Sequence, residues 1–199
     1  MRIIIVGATG TIGRKITAEL SQRHEVIPAS AKNSSLKVDI TSHSSIEEMF
    51  KAASPFDALV SCTGSAYFGP FESMTEENFY QGIRNKLMGQ VNLVMIGKNY
   101  INEKGSFTLT SGILADDPVK DSVGLSMVNG ALNSFVKAAS LQMPKSLRIN
   151  IVSSGVVEDS AEKYARSFPG HNPQPMSKVV NAYVKSVEGI INGEIIRLY

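Results

Sequence analysis

The first twenty residues impose the tightest constraint on this chain. Ile3, Ile4, Ile5 and Val6 form an unbroken apolar, β-branched run, as in a strand covered on both faces. Glycines follow at Gly7, Gly10 and Gly13, and Ile12, Ile16 and Leu20 recur at i, i+4, i+8, one face of a helix. Strand, glycine turn and helix in that order open a dinucleotide-binding unit. The first glycine allows a tight reversal and the second allows close approach of a pyrophosphate. The third lets the helix pack against the strand, and the helix N-terminus offers free N–H groups to phosphate. Gly7, Thr9, Gly10, Thr11, Ile12 and Gly13 are therefore the expected diphosphate-binding residues. GxxGxxG alone is common, and a glycine turn that serves only packing is the alternative; the flanking strand and helix make the motif informative.

Strand and helix patterns then alternate to the end. Val26-Ile27 reads as a second strand closed by Pro28, and Leu36–Ile40 as a third, carrying Asp39. Ser45-x-x-Glu48 reads as a capping box ahead of a helix with Ile46, Met49, Phe50 and Ala53 on one face. Phe56–Cys62 is a fourth strand ending in Thr63-Gly64. Ser73-x-x-Glu76 opens a long helix striped by Phe79, Ile83, Leu87, Val91 and Val94. Gly105–Ser111 is a fifth strand, a helix starts near Ser122 and stops before Pro144, and Leu147–Val152 is a sixth strand running into Ser154-Gly155. The stretch 156–176 has little periodicity and suits a substrate lid; Ser177 caps a last helix, and Glu194–Leu198 is a final strand. The expected fold is one α/β domain spanning 1–199, a doubly wound parallel sheet with helices on both faces. Its ligand belongs beyond the carboxyl ends of the strands, where the strand order reverses.

With 199 residues, one domain suffices to bury a core. Twenty Lys and Arg against eighteen Asp and Glu leave no field for nucleic acid or an anionic membrane. A single cysteine, Cys62, excludes an intrachain disulfide and suits a reducing compartment. His24 and His43 lack ligand spacing to each other or to Cys62, so no metal is expected. No apolar run approaches a membrane span or a signal peptide, and the expectation is a soluble, cytoplasmic protein.

With these motifs in order, the chain resembles the short-chain dehydrogenase/reductase family, whose fold is of the Rossmann type. The segment 7–13 looks like its glycine motif, in an even GxxGxxG spacing rather than the commoner GxxxGxG. Val38-Asp39-Ile40 is similar to the segment whose aspartate contacts adenine. Ser61-Cys62-Thr63-Gly64 takes the place of the Asn-Asn-Ala-Gly turn that supports the adenosine ribose. Leu109–Gly112 falls at the strand bearing the active-site serine, with Ser111, or Gly112 in an ungapped match, at that position. Arg148–Gly155 resembles the segment beside the nicotinamide, with Ser154 replacing a proline.

The departures bear on chemistry. The family's Tyr-x-x-x-Lys pair sets a proton-transferring tyrosine beside a lysine that lowers its pKa. Matching Ala131-Leu132 to the family's Ala-Leu puts Leu125 at the tyrosine and Asn129 at the lysine. The supporting asparagine falls at Lys86, with Asn85 adjacent. Losing a positioned general acid costs ~10²–10⁴ in rate, about 3–5 kcal/mol. Lys86 and Ser111 are the candidate replacements, with Tyr67, Tyr164 and His171 as further possibilities; a lone lysine on a helix is more often a solvated charge.

A site for NAD(H) places a carboxylate at the end of the second strand, about 20 residues beyond the glycines. Here that end reads Ala29-Ser30-Ala31-Lys32, and Ser30, Lys32 and Arg14 suit a 2′-phosphate, so NADP(H) is favoured over NAD(H). The resemblance also implies a homodimer or higher oligomer through two long helices, where Gly89, Gly130, Ala131, Ala138 and Ala139 would permit close approach; helix-on-sheet packing accounts for the same residues. Two functions stay open. One is an oxidoreductase on a small carbonyl or alcohol with a non-standard or absent proton donor. The other is a catalytically silent NADP(H)-binding sensor or partner-binding module.

Overall fold

A computed structural model describes residues 1–199. Seven parallel strands lie in the order β3-β2-β1-β4-β5-β6-β7. They are β1 Arg2–Val6, β2 Glu25–Ser30, β3 Leu36–Lys37, β4 Phe56–Ser61, β5 Ile101–Thr110, β6 Arg148–Ser154 and β7 Ile195–Leu198. The helices are α1 Thr11–Leu20, α2 His43–Ala53, α3 Glu76–Gly82, a π-helical turn Ile83–Leu87, α4 Met88–Gly97, α5 Val123–Ser140, α6 Ala161–Tyr164 and α7 Met176–Glu188. The doubly wound Rossmann-type fold is thus present as a single domain.

Alternation along each strand builds a core on each face. Ile3 and Ile5 of β1, with Ala58 and Val60 of β4, meet Ile16 and Leu20 of α1 and Val179, Tyr183 and Val187 of α7. On the other face Ile4, Val6, Leu59, Phe107 and Ile149 meet α2, α4 and α5 through Phe50, Leu93, Leu132 and Val136. β1 pairs with β2 on one side and β4 on the other, so the strand order reverses at β1/β4 and a crevice opens beyond their carboxyl ends.

Several local readings change. Pro28 lies inside β2, opposite Ile5, rather than ending it. The Ala29 carbonyl accepts from Gly7 N, which turns Pro28 toward the side where β3 pairs only from Ala29 onward, so its missing N–H is not needed. β3 is correspondingly two residues long, not five. Ser42, not Ser45, caps α2, accepting from Ser45 N, while Ser45 Oγ accepts from Asp39 N. Thr75, not Ser73, caps α3 in a reciprocal box with Asn78. Pro175 precedes α7, so Ser177 is inside it. β5 starts at Ile101, ahead of the expected Gly105.

The expected stripe along the long helix also shifts. Val94 is buried, but Phe79, Ile83, Leu87 and Val91 are only half-buried. The π turn adds a residue to the helical repeat and brings Gly82, Lys86, Gln90 and Leu93 inward instead.

Arg148, which the resemblance places in the segment beside the nicotinamide, sits at the opposite end of β6. Its guanidinium donates to the carbonyls of Ser186, Val187 and Ile191, closing the C-terminus of α7. Asn150 fixes the same connection, donating to Ile191 O and accepting from Glu194 N.

Candidate functional site

The glycine turn is built against the turn after β4. Gly7 has φ +87°, and a Cβ there would lie 2.5 Å from Cys62 O, so both backbone conformation and space require glycine. Gly13 packs directly beneath the Gly7 carbonyl, which is the close helix–strand approach its spacing implies. Gly10 precedes α1 and supplies no side-chain cap, leaving the first-turn N–H groups facing the crevice.

Two adjoining cavities cover the strand ends. The outer one, about 460 Å³, is lined by Gly7, Thr9, Gly10, Ser30, Asp39, Ile40, Cys62, Thr63 and Gly64 among others. The inner one, about 650 Å³, takes in Gly10, Thr11, Ile12, Cys62, Gly64, Lys86, Ser111, Leu125, Asn129, Ser154 and Gly155. Sequence reading thus brings most of its site residues to one rim. Gly13 lies under the turn, not on the wall. Lys32 and Arg14 are exposed and outside both linings; Tyr67 and His171 are half-buried and also outside them.

At the outer end Asp39 Oδ1 accepts from Thr41 N at 2.9 Å and Thr41 Oγ1 at 2.7 Å, and these hydrogen bonds hold its carboxyl below the usual range. Ser30 Oγ accepts from Asn33 N at 3.1 Å and shapes the turn after β2. The end of β2 itself carries no carboxylate; the one acid on this cavity wall is Asp39, beyond the end of β3.

The inner end rests on the π turn. Gly64 (φ +107°) lies over Lys86, and a Cβ would stand 2.8 Å from Lys86 Cα. Asn85 Oδ1 accepts from Ser65 N at 2.7 Å and clamps the two turns together. Lys86 is therefore driven into the cavity, 8 % exposed, rather than solvated. Desolvation lowers its ammonium from 10.5 to about 8, with a small opposing influence from Cys62. Burial pushes the Cys62 thiol up to about 12, so it is not a thiolate at neutral pH.

Ser111 Oγ donates to Asn133 Oδ1 at 2.7 Å, leaving only lone pairs for a ligand. Behind it Thr110 Oγ1 donates to Ser61 O and meets the Tyr183 hydroxyl at 2.7 Å. Asn129 is 2 % exposed, and its Oδ1 is buried without a partner. The segment after β6 closes at its base, where Glu158 N donates to Gln174 O and Gln174 N to Val156 O. Lys163, Tyr164, Ser167 and Phe168 hang from that stem into the inner cavity. His171 Nε2 meets Asp117 Oδ2 at 3.1 Å, tying this segment to the turn after β5.

Sequence reading missed Asn133 and Phe168, and named Asn85 only as the neighbour of Lys86. Asn129 and Asn133, one helical turn apart among Val128, Leu132 and Val136, are the available signal: buried amides on an apolar face call for partners. No cluster of His, Cys, Asp and Glu suitable for a metal is present, and no helix is long and apolar enough to cross a membrane.

Known proteins match this architecture. The model of the enoyl-(acyl carrier protein) reductase family matches residues 8–183. The Listeria innocua protein lin1944 is 42% identical over all of both chains, with a TM-score of 0.98. A small-chain dehydrogenase solved in complex with NADPH is 23% identical, covers 100% of this chain and 96% of its own, and has a TM-score of 0.88. An uncharacterized oxidoreductase of Methylorubrum extorquens is 28% identical over 102 residues, 51% of this chain and 41% of that protein.

Proposed function

This chain belongs to the short-chain dehydrogenase/reductase family, and we propose that it is a nicotinamide-dependent oxidoreductase of small carbonyl or alcohol compounds in which Lys86 stands in for the missing tyrosine. The observation that carries the reading is the continuous cavity from the Gly7–Gly13 turn to Lys86. The uncapped start of α1 and the Gly7–Cys62 contact fit a diphosphate. Asp39 fits the adenine, and Ser154-Gly155 the nicotinamide end. A bound reduced coenzyme supplies a hydride. The chain's own part is to hold the carbonyl beside Lys86, whose ammonium remains mostly protonated at neutral pH yet releases its proton more readily than a surface lysine. Ser111, its own proton directed at Asn133, can only accept, which suits the hydroxyl of the alcohol form rather than the carbonyl oxygen.

NADP(H) is favoured over NAD(H) because the end of β2, Ala29 to Asn33, carries no carboxylate to repel a 2′-phosphate, Asp39 lying beyond β3 and held by Thr41; Lys32 and Arg14 then act from the surface rather than the cavity wall. The NADPH complex of the 23%-identical dehydrogenase supports the coenzyme class. The segment 156–176 serves as the lid. A homodimer through α4 and α5 is supported by exposed Met88, Met95, Val123 and Met127, and Gly130 is open for approach. Gly89 instead packs on Ile40 within the chain. Light scattering showing only monomer at high concentration would remove the dimer.

The test is titration of NADPH and NADH by fluorescence, then absorbance of the NADPH complex with a panel of carbonyl compounds. We expect tighter NADPH binding, and turnover lost in Lys86→Met. Binding without turnover on any compound would instead mark a coenzyme-binding module.

A further inference from the structure

Lys86 is a buried cation for which the chain provides no counter-charge. Its Nζ has neither a hydrogen bond nor an ion pair, and its influences are desolvation and the thiol of Cys62. A buried ammonium without a partner is costly. Asn129, 2 % exposed, also lines the inner cavity; its Oδ1 is enclosed without a partner, and its Nδ2, a donor free of any hydrogen bond within the chain, lies on the Gly112 side of the wall. Two side chains of nine-tenths burial or more, each with an unused donor, thus line one cavity.

The remainder of that wall fixes the sign of the missing partner. No Asp or Glu lines the inner cavity, and its second charged residue is another cation, Lys163 on the lid, 4.9 Å from the Tyr164 ring centroid. Ile113, Leu114, Leu125 and Phe168 form an apolar part of the wall, beside hydroxyls such as Ser111, Ser160 and Ser167. An anion at Lys86 would satisfy the ammonium, and the apolar wall would take a hydrocarbon chain joined to that anion.

We propose that the inner cavity is a carboxylate-binding site, and that the substrate is a small organic acid with an apolar chain whose carboxylate becomes the counter-ion of Lys86, with Asn129 Nδ2 as its second donor. This deepens the reading of Lys86 as the cation at the reacting end, and rests on it. A carboxylate close to the reacting carbonyl allows one ammonium to serve both oxygens.

Calorimetry of the whole chain at pH 7 tests this, with 4-methyl-2-oxopentanoate against its methyl ester, which keeps the shape and removes the charge. The acid should bind at least tenfold more tightly. Lys86→Met should abolish that preference, and Lys86→Arg should retain part of it. Equal affinity for acid and ester, or a preference that survives in Lys86→Met, overturns the proposal. So does inorganic phosphate binding as tightly as the oxo acid, which would mark a general oxyanion site. NADPH titrated in parallel separates the two readings. Acid preference without NADPH binding keeps the carboxylate site and removes the coenzyme, whereas NADPH binding without acid preference removes the carboxylate site alone.

Discussion

The side chain of Gln90 closes on both backbone polar groups of Thr110: Nε2 donates to the carbonyl at 2.8 Å and Oε1 accepts from the N–H at 2.9 Å. Gln90 is fully buried, so a side-chain amide from α4 completes the hydrogen bonding at the carboxyl end of β5, one residue before Ser111. The strand end that presents Ser111 is thereby fixed from the helix that presents Lys86.

Replacing Gln90 with leucine keeps the volume and leaves both Thr110 groups buried and unpaired. The expected loss is about 2–4 kcal/mol, from desolvation penalties of about 1–3 kcal/mol each. Urea unfolding measures it; a loss under 0.5 kcal/mol would mean that water replaces the amide.

Gly10→Asp separates folding from coenzyme binding. Aspartate is a better N-cap than glycine by a few tenths of a kcal/mol, while the Gly7 carbonyl, 3.3 Å from the added Cβ, offsets that gain. Net stability should change by less than about 1 kcal/mol, whereas the new carboxylate stands where a diphosphate would lie. NADPH affinity should fall at least tenfold. Unchanged affinity would place the nucleotide elsewhere.

Lys86→Met should stabilise the protein at pH 7. The native pKa, about 8, lies below the usual 10.5. Below pH 8 both folded and unfolded chains hold the proton, and the cost of burying it, roughly 3 kcal/mol, is fully present. Between these values the unfolded chain binds more protons, so wild-type stability rises with pH. Beyond about pH 10.5 the cost is gone. The advantage of the methionine variant should therefore shrink toward zero between pH 7 and 10.5. Unfolding at both ends of that range checks it, and a pH-independent difference contradicts it.

Arg148→Met should open the far end of the molecule without touching the cavity. Three carbonyls at the end of α7 lose charged donors, and a loss of about 2–3 kcal/mol is expected. Amide exchange should quicken at 189–193 while NADPH affinity holds.

The strand–turn–helix at the N-terminus was legible because each role there is local: a β-branched run, glycines where backbone must touch backbone, a helical stripe. The same holds for Asp39, Cys62–Gly64 and Ser154-Gly155, which stand at strand ends and so reach the rim once the strands are parallel. Lys86 was ambiguous because a lone lysine on a helix is ordinarily solvated. Its burial follows from the Ser65–Asn85 hydrogen bond, between residues 20 apart in the chain, and from the close approach of Gly64 to Lys86, both made only after folding. Lys32 is the reverse case, a charge at the expected turn that is exposed and outside the cavity lining. The caps misread at Ser45 and Ser73 lay in segments with several eligible hydroxyls, and at Ser177 the helix begins earlier, directly after Pro175.

A π turn spreads one residue more over a turn than an α-helix does, so Ile83–Leu87 takes up an extra residue while the helix on either side keeps its face: Gly82 and Gln90, eight positions apart, are both turned inward. A chain one residue shorter would run straight through with those two positions seven apart and still aligned. What it would lose is the swelling itself, which carries Asn85 to Ser65 and Lys86 beneath Gly64. The irregularity is thus a local spacer that lets one rod reach the strand-end turn without disturbing its contacts above and below.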